Sequence, residues 1–121
     1  MLDKKILAFD LDDTLCYRPK SVENLGVDKY HHCEPIQEMI DISNSLYDKG
    51  YIIYIYTARG MKTLDGNIKE IYDVLYPITL ESLKKWGVKH HGLIMGKLHY
   101  DLLIDDKAVS LEEAQIKLKQ L

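Results

Sequence analysis

Two uninterrupted runs of apolar residues constrain the fold of this chain more than any other feature. The runs are Ile6–Phe9 and Tyr51–Tyr56, and the second is rich in residues that favour strands. A strand with one face in water would alternate apolar and polar residues, whereas continuous runs are typical of strands buried on both faces of a parallel sheet. We therefore expect a parallel sheet with helices in its connections.

The segments between and after these runs have helical periodicity. Apolar residues recur at positions 36, 39, 40, 46 and 47, which lie on one stripe of a helix. The first expected helix begins at Pro35 and ends before the stop signal at Gly50. A second runs from Asn67 to Leu75, is interrupted at Pro77, and is followed by a shorter helix that ends at Trp86. The last begins at the capping box formed by Ser110 and Glu113.

Two short apolar segments, Leu93–Met95 and Leu102–Ile104, are the remaining strand candidates. The order β-α-β-α-β-β-α predicts an α/β domain with a mostly parallel sheet. About six residues join the last two strands, while a parallel crossover needs about a dozen. Either that connection is an extended loop or one strand is misassigned. Residues 15–34 are expected to form a long loop or a hairpin.

Length, charge and cysteine content narrow the class of protein. The 121 residues fit a single domain, 1–121, and a net charge of −3 argues against a nucleic-acid partner. Arg18 and Arg59 are the only arginines, so bidentate phosphate recognition would have to use one of them or lysines. No apolar run suits a signal peptide or a membrane span. Cys16 and Cys33 have neither zinc nor disulfide-scaffold spacing, and we interpret Cys16 as a small buried side chain. These features favour a cytoplasmic protein without a membrane partner.

Chemically active residues follow the predicted strands. Since the carboxyl ends of parallel strands share one edge of a sheet, their side chains should meet there. Several carboxylates at one point favour a hard cation such as Mg²⁺, while lysine, arginine and threonine suit a phosphate group. One carboxylate could attack phosphorus, and another two residues on could protonate the leaving oxygen. The residues concerned are Asp10, Asp12, Thr57, Arg59, Lys97, Asp105 and Asp106.

The motifs resemble those of the haloacid dehalogenase (HAD) superfamily. Residues 9–15 are similar to its DxDxT signature, and Thr57, Lys97 and the pair Asp105-Asp106 match its second, third and fourth motifs in order. Residues 57–67, Trp86 and 96–108 are similar to a small HAD group without a cap domain that is tied to capsule and lipopolysaccharide biosynthesis. Asp13 and Leu98 depart from that group, where many members have glycine and proline.

The resemblance implies a three-layer Rossmann-like core without a cap and a magnesium-dependent phosphatase. It makes Asp10 the nucleophile and a metal ligand, and Asp12 the general acid and base with its carbonyl on the metal. It makes Asp105 a further ligand, with Asp106 acting in the metal site directly or through water. Thr57 would hydrogen-bond the phosphoryl group and Lys97 would screen its charge.

The expected substrate is a small phosphorylated metabolite, such as a sugar phosphate or a polysaccharide precursor. Arg59, Lys62 and Asn67 follow the second strand and are the predicted substrate-binding residues. Because a site without a cap is open to water, we expect an oligomer or a bulky substrate to cover it. The alternatives are a receiver-like phosphoacceptor domain, which the motif order disfavours, and an inactive HAD-fold binding module. The motifs are compatible with hydrolysis and with phosphotransfer.

Overall fold

The computed structural model describes residues 5–121 and has an α/β architecture. Its strands are β1 Ile6–Phe9, β2 Cys16–Tyr17, β3 Glu34–Pro35, β4 Ile52–Tyr56 and β5 Gly92–Ile94. Its helices are α1 Gln37–Asp48, α2 Ile68–Glu70, α3 Tyr76–Lys85 and α4 Leu111–Lys119, with a 3₁₀ segment at Lys20–His32 and a π-helical turn at Ile71–Leu75. No helix within the described part of the chain has the length and apolarity needed to cross a membrane.

The main sheet has three parallel strands in the order β1-β4-β5. The chain passes from β1 to β4 through α1, and from β4 to β5 through the helical segment of α2 and α3. α1 packs against β4 and against α4. This arrangement confirms the predicted α/β class and parallel pairing, and it is compatible with a Rossmann-like fold.

The expectation that the first strand is buried on both faces is wrong. Within residues 5–121, β1 pairs with β4 alone and lies at an edge of the sheet, and its first residue, Ile6, is 64% exposed. β4 is buried mainly on one face, through Ile53 and Ile55, while Tyr56 is exposed. A continuous apolar run therefore predicted the strands correctly but not how completely each face is covered.

The predicted strand Leu102–Ile104 is also wrong. These three residues have no regular secondary structure and are 76%, 47% and 85% exposed in chain order. The short connection from β5 is the physical reason, because so few residues cannot return the chain to pair in parallel. Of the two alternatives the sequence left open, misassignment of a strand is the one observed.

Pro77 does not interrupt the second helical region. Helical backbone runs from Ile68 to Lys85, and the π-helical turn lies just before the proline. There the Tyr76 N–H donates to the Ile71 carbonyl five residues back. Proline lacks an N–H and crowds the carbonyl four residues earlier, so a widened turn at this point accommodates it without ending the helix.

Residues 15–35 form the hairpin that the sequence left as one of two possibilities. β2 and β3 pair antiparallel, and the kinked 3₁₀ segment between them carries the buried Tyr30. α3 packs against this segment. The hairpin therefore lies against the same core as the sheet. The fully buried residues of that core include Leu11, Leu15, Ile40, Ile53, Ile55, Ile71, Leu75 and Leu83.

Candidate active site

Asp10 and Lys97 meet at the carboxyl edge of the sheet, as the sequence predicted. Asp10 directly follows β1, and Lys97 lies on the loop after β5. The Lys97 Nζ atom is 3.8 Å from Asp10 Oδ1. The Lys97 backbone N–H donates to the Thr57 carbonyl at 3.1 Å, which fixes the loop against the residue that follows β4. Three strand ends thus place a carboxylate beside an ammonium group.

The Asp10 carboxylate is partly shielded but still reachable. Its side chain is 41% exposed, and its Oδ1 accepts a hydrogen bond from the Leu11 backbone N–H at 2.9 Å. Burial raises the pKa of Asp10 above its ordinary value, and the Lys97 charge opposes that rise. A carboxylate that has lost part of its hydration and faces a cation can act as a nucleophile toward an anionic substrate.

A cavity of about 330 Å³ opens in front of this pair. Its volume is that of a small-ligand site. The Lys97 ammonium lies 5.7 Å from the ring centre of Tyr56 and 5.4 Å from that of Tyr100, so two aromatic faces hold it in place. The cavity is lined by Asp10, Asp13, Ala58, Lys97, Leu98, His99 and Tyr100.

Asp12 is directed to a different set of partners. The Arg59 guanidinium binds it in bidentate fashion, with Nε to Oδ2 and Nη2 to Oδ1 both at 3.0 Å. Arg18 Nη1 adds a second ion pair at 2.9 Å. Burial alone would raise the pKa of Asp12, but Arg59 and then Arg18 outweigh it and hold that pKa below its ordinary value. Asp12 does not line the cavity, and its predicted acid and base role stays a prediction.

Arg59, the predicted substrate-binding residue, is buried and does not line the cavity. Arg59 is only 2% exposed, and its Nη1 donates to the Thr79 hydroxyl at 3.1 Å. Its guanidinium carbon lies 4.9 Å from the ring centre of Tyr30. The sequence placed Arg59 on the loop after a strand but did not show that its side chain turns into the core, where a carboxylate and an aromatic ring receive it.

Thr57, Lys62 and Asn67 do not line the cavity either. Thr57 is 1% exposed, and its hydroxyl accepts a hydrogen bond from the Arg59 backbone N–H at 3.2 Å. Lys62 is exposed on the loop. Asn67 caps α2 through its side-chain oxygen, which accepts from the Glu70 N–H at 3.1 Å. The structure thus gives Thr57 and Asn67 local structural roles.

The predicted magnesium ligands Asp105 and Asp106 follow a segment without regular secondary structure. Asp105 and Asp106 are exposed, and Asp105 Oδ1 accepts from the Lys107 N–H at 2.8 Å in a local turn. Among residues 5–121, the group of three or more potential ligands whose atoms lie within 4.8 Å of one another is Asp12, Cys16 and Cys33. Among the described residues, the carboxylates of Asp10, Asp105 and Asp106 thus do not form such a group, and the strand expected at 102–104 ahead of the last two does not form.

Sequence reasoning missed the residues that surround these charges. Tyr56 and Tyr100 flank Lys97, while Arg18, Tyr30 and Thr79 complete the surroundings of Asp12 and Arg59. The one feature of the sequence that pointed to Arg18 as well as Arg59 is that they are the only arginines in an acidic chain. No local pattern links the aromatic and hydroxyl residues to the site, because each comes from a different element.

Comparison with known proteins gives one informative likeness. No protein-family model and no curated protein matches the chain. The protein is similar to the crystal structure of a structural-genomics target from Vibrio cholerae, with 30% sequence identity and a TM-score of 0.79. The match covers 96% of this chain and 94% of that chain, and that structure carries no functional name. At this identity over nearly the whole of both chains, the protein belongs to the same family as the Vibrio cholerae protein.

Proposed function

We propose that this protein is a hydrolase of small phosphomonoesters that works through an aspartyl-phosphate intermediate. The observation that carries the proposal is the Asp10 carboxylate, which lies 3.8 Å from the Lys97 ammonium at the mouth of a cavity of about 330 Å³. The motif resemblance to the HAD superfamily supports the same assignment. A three-layer HAD core, a sugar-phosphate or polysaccharide-precursor substrate and a cytoplasmic location form part of this proposal.

In the proposed reaction, Lys97 neutralises part of the phosphate charge so that the anionic Asp10 can approach phosphorus. An Asp10 oxygen forms the new bond to phosphorus while the bond to the leaving oxygen breaks. The leaving oxygen takes a proton from water, and a second water then releases phosphate from Asp10. Asp12, which the resemblance makes the acid and base, contacts Arg59 instead of the cavity and has no part in this step.

Magnesium enters the proposal only through the motif resemblance. Because no three carboxylates of the described residues lie within 4.8 Å of one another, no step depends on magnesium, and added Mg²⁺ becomes a variable of the experiment. An oligomer that covers the open cavity stays a prediction, which the mass of the protein in solution would test.

The test compares the wild type with Asp10→Asn on p-nitrophenyl phosphate and a panel of sugar phosphates, with and without Mg²⁺. We expect Asp10→Asn to lower phosphate release by roughly a thousandfold or more, because amide nitrogen and oxygen are poor nucleophiles. Acid quenching during turnover should trap phosphate on the wild type alone.

Asp48→Asn is the matched control, since it makes the same charge change at the end of α1, away from the carboxyl edge of the sheet. Wild-type turnover in Asp10→Asn would contradict the proposal. Binding of phosphate esters without turnover, under every metal condition, would instead favour the binding-module alternative.

A further inference from the structure

Two free cysteines of the hairpin have their side chains close together. Cys16 belongs to β2 and is fully buried, while Cys33 directly precedes β3 and is 8% exposed. Their sulfur atoms and a carboxylate oxygen of Asp12 all lie within 4.8 Å of one another. Neither thiol has a part in the proposed hydrolysis.

The charges around the cysteines argue against a metal ion at this point. Arg59 Nη2 lies 3.3 Å from the Cys33 sulfur and 3.6 Å from the Cys16 sulfur. Arg18 is paired with Asp12, the one carboxylate of the group. A divalent cation would meet two guanidinium groups, whereas a thiolate is stabilised by them.

The two thiols are not equivalent. Contact with the Cys16 side chain, together with the Arg59 charge, lowers the pKa of the Cys33 thiol against the effect of burial. The same contact, with burial and the Asp12 charge, raises the pKa of the Cys16 thiol. Cys33 therefore has the greater thiolate character, and Cys16 is placed to react with it.

A second cavity gives Cys33 contact with solvent. It measures about 490 Å³, and Cys33 is part of its wall while Cys16 is not. A small oxidant entering there reaches Cys33 first. The other lining residues are Pro19, Val22, His31, His32, Glu34, Pro35, Lys85 and Trp86.

We propose that Cys33 and Cys16 form a redox-sensitive pair that a hydroperoxide converts into an intramolecular disulfide. The Cys33 thiolate attacks one peroxide oxygen, the O–O bond breaks, and hydroxide leaves to give a sulfenic acid. The Cys16 sulfur then loses its proton and attacks the Cys33 sulfur, displacing hydroxide, which departs as water. For hydrogen peroxide, two thiols and one peroxide give one disulfide and two waters.

Disulfide formation would change the surroundings of Asp12. The reduced Cys16 thiol donates to Asp12 Oδ1 at 3.5 Å, and the reduced Cys33 sulfur accepts from Arg59. Both contacts change when the sulfur atoms move together to bonding distance, about 2.05 Å. The pair therefore links the oxidation state of the protein to the Arg59–Asp12 ion pair.

The test treats the folded wild-type chain with hydrogen peroxide, then denatures it, alkylates the remaining thiols and maps peptides without reductant. We expect loss of both free thiols, a peptide pair joined through Cys16 and Cys33, and recovery of both thiols with dithiothreitol. The result does not depend on catalytic activity, so failure of the proposed hydrolysis would leave it unaffected. Thiols that stay fully alkylatable, or oxidise without becoming joined, would overturn the proposal.

Single variants test the order of the two steps. In Cys16→Ser, the sulfenic acid has no internal partner, so dimedone should label Cys33. In Cys33→Ser, the buried Cys16 should escape labelling. Arg18→Met, which leaves the Arg59–sulfur contacts in place, should still form the disulfide. Preferential dimedone labelling of Cys16 in Cys33→Ser would show that Cys33 is not the first to react.

Discussion

Arg59 and Asp12 form a bidentate ion pair that joins the loop after β4 to the loop after β1. Both nitrogen–oxygen distances are 3.0 Å, and the Arg59 side chain has no exposed surface. Buried fork-to-fork pairs of this kind fix direction as well as distance. The pair therefore holds Asp12 away from the cavity that Asp10 faces.

Removal of Arg59 should strongly destabilise the fold. Arg59→Met leaves the largely buried Asp12 charge with Arg18 as its remaining cation, and we expect a loss of roughly 2–4 kcal/mol in the free energy of unfolding. Arg18→Met should cost only about 1 kcal/mol, because the bidentate pair remains. Urea unfolding measures both. Equal losses of stability in the two variants would contradict the central role of Arg59. Adding Asp12→Asn to Arg59→Met should recover part of the lost stability, because the buried charge is then removed.

Stability should fall in acid because of Asp12. The pKa of Asp12 is lowered in the folded protein. Its contribution to the free energy of unfolding is therefore complete above the ordinary aspartate pKa of about 3.9, and it is lost as the pH falls through the pKa in the folded state. Asp12→Asn should flatten the dependence of unfolding free energy on pH below about 5. Asp10 acts in the opposite sense, because its raised pKa favours the folded state as the pH falls. Asp10→Asn should therefore make the acid loss steeper, and identical slopes in both variants would disprove this account.

Loss of the Lys97 charge should weaken the proposed reaction. Lys97→Met removes the cation 3.8 Å from Asp10 and should lower kcat/KM for phosphomonoesters by roughly 10²–10³-fold. It should also raise the pKa of Asp10, which moves the acid limb of the pH–rate profile to higher pH. Lys89→Met is the control, since Lys89 pairs with Asp48 on the surface. An unshifted acid limb would show that Lys97 does not act on Asp10.

Gly60 should tolerate no side chain. Its φ is +84°, and a Cβ there would lie 2.7 Å from side-chain atoms of Ile71 and Leu75. Gly50 also has positive φ, +98°, but has open space around it. Gly50→Ala should cost about 1–2 kcal/mol through backbone strain, and Gly60→Ala about 1–3 kcal/mol more through overpacking. Thermal unfolding of the two variants separates these effects, and equal losses would mean that the core adjusts freely at Gly60.

The sequence by itself determined the three strands of the parallel sheet, their parallel pairing and the meeting of Asp10 with Lys97. Continuous apolar runs gave β1 and β4, and the rule that parallel strands end at one edge brought the two charged residues together. These features depend on local pattern and on a general property of sheets, so no knowledge of particular contacts was needed.

Only the tertiary structure decided where the side chains after the strands point. Arg59 turns inward because Tyr30, Thr79 and Asp12, from three distant parts of the chain, form a pocket for its guanidinium. Asp105 does not follow a strand, because residues 102–104 do not pair with the sheet, although their apolar character suits a strand. Both outcomes depend on long-range contacts, and periodicity along the chain does not record which distant residues fill the space beside it.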